Sequence, residues 1–72
     1  MAQQLIFDLE VDVARQRPPT PANTRTHHVR VAVEDRPGWS RVENEARNLA
    51  AWMCWHRLGP MVTEVRIVSV EA

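Results

Sequence analysis

The sequence predicts an α+β fold of two layers, a ββαβ unit with one helix packed on a three-stranded mixed sheet. Three observations predict it. Residues 4–14 alternate apolar and polar at period 2, the pattern of a half-buried strand. A Pro37-Gly38 break leads into Ser40-Arg41-Val42-Glu43, the signature of a helix start. After a Gly59-Pro60 stop, a second alternating segment closes the chain.

The first strand spans Gln4 to Ala14. Leu5, Phe7, Leu9, Val11 and Val13 point one way, and Ile6, Asp8, Glu10, Asp12 and Ala14 the other. Residues 15–26 follow as a loop carrying Pro18, Pro19 and Pro21. Proline lacks a backbone donor and favours polyproline-like extension, so this stretch is a wide connection, with a docking arm as the alternative use. The second strand is expected from His27 to Glu34, with Val29, Val31 and Val33 facing the core, His27 at its fringe, and His28, Arg30, Ala32 and Glu34 facing away.

Asp35-Arg36-Pro37-Gly38 then turns the chain. Pro37 suits the second position of a type II turn, and Gly38 supplies the positive φ at the third. In the expected capping box, the Ser40 hydroxyl accepts from the Glu43 N–H and the Glu43 carboxylate accepts from the Ser40 N–H. The helix runs to Leu58, roughly 27 Å, about the length of a nine-residue strand. Gly59 fits a left-handed stop and Pro60 prevents continuation. The last strand covers Met61 to Val70. Met61, Thr63, Val65, Ile67 and Ser69 are expected towards the helix, and Val62, Glu64, Arg66, Val68 and Val70 away from it. The opposite register is the alternative, because both faces are partly apolar.

A strand–helix–strand crossover makes the second and third strands parallel. The first strand is the most apolar and takes the centre, giving the order 2-1-3, with 1-2-3 as the alternative. From the helix, Val42, Ala46, Leu49, Ala50 and Met53 meet the sheet at helical spacing, and Trp39 closes one end of the core. Each buried Leu or Phe contributes roughly 1.5–3 kcal/mol.

Length allows a single domain, residues 1–72. Cys54 is the one cysteine, so no disulfide forms within the chain and a reducing, cytoplasmic setting is expected. The apolar runs are far too short for a membrane helix, and no signal peptide is expected. The net charge is zero, which disfavours nucleic acid or an anionic membrane as a partner. All nine Lys and Arg residues are arginine, and tyrosine is absent. Lysine and tyrosine codons are AT-rich, so a high-GC genome, bacterial or phage, is inferred.

No constellation in the chain reads as a catalytic, metal or cofactor site. Cys54 and His56 lie about 200° apart on a helix and cannot share a ligand. His27 and His28 face opposite sides of a strand, leaving His28 to approach Asp12. Asp8, Glu10 and Asp12 form an acidic stripe that suits a divalent cation or a phosphate mimic. Arg30 and Arg66 on the neighbouring strands account for it as cross-strand pairing. With only Gly38 and Gly59, no glycine-rich phosphate loop is possible. No enzymatic activity is expected.

Two surfaces remain. Arg41, Asn44, Asn48, Trp52 and Trp55 share one helix face, in the residue types that dominate interface hot spots. Coverage of these rings by the last strand or the proline loop is the alternative. Ile6, Ala32, Val68 and Val70 form an apolar patch on the open sheet face, a surface for self-association into a homodimer. Edge pairing through the third strand is a second route to a dimer. The leading expectation is a small non-catalytic regulatory module that binds a protein partner through the tryptophan face. The alternative is nucleic-acid binding by Arg41, Asn44, Arg47 and Asn48, with the tryptophans stacking on unpaired bases. A third reading makes the tryptophans an apolar cage for a small ligand.

Overall fold

The computed structural model describes residues 3–58 and 61–72, with backbone alone at 56–58. The elements are β1 (Gln4–Ala14), a 3-10 turn (Pro21–Asn23), β2 (Thr24–Glu34), α1 (Trp39–Leu58) and β3 (Val62–Glu71). The sheet order is β2-β1-β3, as the apolar character of the first strand predicts. Both ladders are antiparallel, so the sheet is antiparallel and not mixed. β2 and β3 do run in the same direction, but β1 lies between them and no parallel ladder exists.

β2 begins at Thr24 rather than His27, and the reason is local. Asn23 ties the loop down. Its N–H donates to Thr20 Oγ1 at 3.3 Å, and its Oδ1 accepts from the Thr20 N–H at 2.9 Å. Its carbonyl accepts from the Arg15 N–H at 2.8 Å, which closes the β1–β2 ladder. The proline-bearing stretch is therefore a capped turn, and only part of it is loop.

α1 starts one residue earlier than the expected cap. The Gly38 carbonyl accepts from the N–H groups of Arg41 and Val42 at 3.0 and 3.2 Å, so Gly38 is the cap and Ser40 lies inside the helix. The Ser40–Glu43 box does not form. Gly38 has φ +96°, a conformation that glycine supplies without strain. The expected stop at Gly59 and Pro60 lies outside the described residues.

The core joins Leu5, Phe7, Leu9, Val11 and Val13 of β1 to Val31 and Val33 of β2 and to Val42, Ala46, Ala50 and Cys54 of α1. Successive residues of the α1 row are four apart, and each such step turns about 40° around the axis. The row therefore drifts towards Cys54 and away from Leu49. Leu49, expected in the core, is on the surface, and Met53 packs at the edge. The small side chains of Ala46 and Ala50 leave room for Phe7 and Leu9 beneath the helix. Trp39 stacks on Phe7 with ring centroids 6.0 Å apart and closes one end of the core, as expected.

β3 departs from simple alternation. Register shifts between Asp8 and Leu9, and again between Asp12 and Val13, mark two bulges. Each bulge moves the following residues to the other face. Val65 and Ile67 face the helix as expected, but Val62 and Val70 join them against the core. Ser69, expected inward, instead donates from Oγ to Asp8 at 3.0 Å.

Candidate functional site

Among the described residues, four of the five exposed large apolar side chains stand on α1: Trp39, Leu49, Trp52 and Trp55. The outward positions of Trp52 and Trp55 follow from the core row. With Val42, Ala46, Ala50 and Cys54 turned to the sheet, residues 41, 44, 48, 52 and 55 fall within about 40° of the opposite direction. Trp52 is 57% exposed and Trp55 51%, so neither the last strand nor the proline loop covers them. Arg41, Asn44, Asn48 and Trp52 line one shallow depression along the helix, together with Glu45 and Leu49. Trp55 continues this face towards the C-terminal end of α1.

The polar groups around the depression are partly committed. Glu45 accepts from Arg36 at 2.6 Å, and Arg47 donates to Asn44 Oδ1 at 3.4 Å. The Arg41 stem lies over Gly38, and its guanidinium makes no ion pair among the described residues. An unpaired cation, two amides, a leucine and two indoles therefore share one solvent-facing surface. Sequence reasoning missed Leu49 and Glu45 as members of it. The drift of the core row, visible in Cys54 as the fourth small or apolar residue at spacing four, was the signal for Leu49.

The open sheet face is a charge network. Arg66 donates to both carboxylate oxygens of Asp12 at 2.7 and 2.9 Å, to Glu64 at 2.9 Å and to Glu10 at 3.3 Å. Arg30 pairs with Asp8 at 2.8 Å. The hydroxyl of Thr26 donates to Asp12 at 2.7 Å. The Arg66 hydrogen bonds, helped by Thr26, lower the Asp12 carboxyl from 3.8 to about 2, and Asp12 in turn raises the Arg66 guanidinium above its ordinary value. The acidic stripe is thus matched by arginine, as the cross-strand reading expects. His28 stands opposite Glu10 and not Asp12, with Nδ1 3.9 Å from the Glu10 carboxylate. Among the described residues no three His, Cys, Asp or Glu side chains gather as a metal-holding group. Cys54 is buried in the core, and the His56 side chain lies outside the described residues.

The apolar patch on this face is smaller than the sequence suggests. Ile6 and Ala32 do stand opposite each other across β1 and β2. Val68, at a bulge, is 59% exposed beside Asp8, His28 and Arg30. Val70 is opposite Phe7 and packs into the core, because the bulge at Val68 shifts it, and Glu71 takes the place beside Ile6.

No protein-family model, curated protein or solved structure matches this chain.

Proposed function

We propose that this chain is a small non-catalytic interaction module that holds a protein partner on the outward face of α1. Trp52 and Trp55 are the anchors, and Arg41, Asn44 and Asn48 are the polar flank. One observation carries the reading: two indoles, each more than half exposed, share the helix face opposite the core row. Exposed tryptophan is costly in solubility and is enriched, with arginine, at the centres of binding surfaces. The open sheet face favours no ligand, since its carboxylates are already matched by Arg30 and Arg66.

The double substitution of Trp52 and Trp55 by alanine tests the reading. Proteins from the source cell are captured on the immobilised chain and compared between wild type and variant. The expected result is a partner retained by the wild type and lost from the variant, with an unchanged far-UV circular dichroism spectrum. Equal capture by both would remove this face from the account. Salt-sensitive retention of DNA or RNA by the wild type, lost on changing Arg41 to Ala, would replace a protein partner with nucleic acid.

A further inference from the structure

We infer that two copies of the chain pair through the free edge of β2, extending the sheet from three strands to six. The free edge is defined by hydrogen bonds at both ends of the β1–β2 ladder. The Arg15 N–H donates to the Asn23 carbonyl at 2.8 Å, and the Asp35 N–H donates to the Gln3 carbonyl at 2.7 Å. The register between them is unbroken. Hydrogen-bonded pairs alternate in an antiparallel ladder, so odd-numbered residues of β2 turn their backbone groups to β1. Thr26, His28, Arg30, Ala32 and Glu34 turn theirs to the outside. Among the described residues, no other element supplies backbone bonds to that edge.

The two edges of the sheet differ. β3 is interrupted by two bulges, a device that keeps an edge from pairing. β2 has none. Its first half presents Arg25 and His27 on the helix side, while Val29, Val31 and Val33 make its second half apolar there. A two-fold axis at Val31 sets Val31 against its own copy and Val29 against Val33 of the second copy. On the open face the same register sets His28 opposite Glu34 and places Arg30 diagonal to it. Glu34 is exposed and has no ion pair among the described residues. Arg30, which also pairs with Asp8 at 2.8 Å, thus gives Glu34 an opposite charge across the self-pairing, and about eight backbone hydrogen bonds form. The axis is perpendicular to the sheet, so both helices stay on one side.

The solution mass, from light scattering during size exclusion at micromolar to millimolar concentration, tests this surface. The wild type is expected at twice the 8.3 kDa of the chain. Ala32→Pro removes an outward N–H and leaves the β1 ladder whole, and it is expected to halve the mass with an unchanged far-UV spectrum. Glu34→Arg sets like charges together and is expected to weaken the dimer by about tenfold. It decides the matter if Ala32→Pro does not fold. A wild type monomeric throughout, or a dimer indifferent to Glu34→Arg, would overturn the proposal. Neither result bears on the tryptophan face.

Discussion

Asp12 and Arg66 show how single residues settle what a surface can do. Arg66 grips both oxygens of Asp12 and reaches Glu10 and Glu64. A carboxylate so engaged has little left for a cation. Its pKa is lowered to about 2 in the folded chain, against 3.8 ordinarily. A folded pKa below the unfolded one means stability that is complete above 3.8 and lost as pH falls towards 2. The melting temperature of the wild type is expected to fall across that interval, and Asp12→Asn is expected to flatten the fall. Parallel curves for the two proteins would contradict the assignment. This pairing was legible in the sequence, because Asp8, Glu10 and Asp12 alternate on one strand and arginines stand on the strands beside it. The partner of His28 was not, because a two-residue difference in register, which keeps the same face, separates Asp12 from Glu10. Register depends on where the loop closes, and Asn23 closes it earlier than the prolines suggest.

The elements hold the larger departures, and each traces to the end of an element or a bulge. α1 begins at Trp39 because Gly38, with φ +96°, gives its carbonyl to the first turn. A Cβ at this position would meet the Arg41 side chain at 3.5 Å, an ordinary contact. The cost of Gly38→Ala therefore comes from the dihedral alone, about 1–2 kcal/mol. Urea denaturation is expected to show that loss with an unchanged m-value, and a neutral result would mean the cap tolerates a side chain. β3 carries its own clue. Val62, Val65, Ile67 and Val70 are spaced three, two and three apart, and every step of three holds a bulge. Strict alternation overlooks that pattern and sends Val62 and Val70 outwards. Without Val70, the apolar patch on the open face shrinks to Ile6, Ala32 and Val68. What the patch loses, the core gains.

The whole molecule measures 44 × 19 × 18 Å, long because two eleven-residue strands set its axis. Its topology was legible because β1 is both the longest alternating segment and the most apolar. Such a strand is best buried in the centre, between two edges. The sheet type was not, since a crossover between β2 and β3 suggests a parallel pair that the central position of β1 prevents. One side of the sheet carries α1 and the other a solvated charge network. α1 itself has a row of small residues turned to the sheet and a row of indoles turned away. Urea unfolding of Val42→Ala beside Trp55→Ala measures that division of α1 into a buried row and an outward one. Val42, fully buried, is expected to cost about 2 kcal/mol on truncation. Trp55, half exposed, is expected to cost under about 1 kcal/mol. A loss of about 3–5 kcal/mol at Trp55 would place its ring in the core and contradict the account.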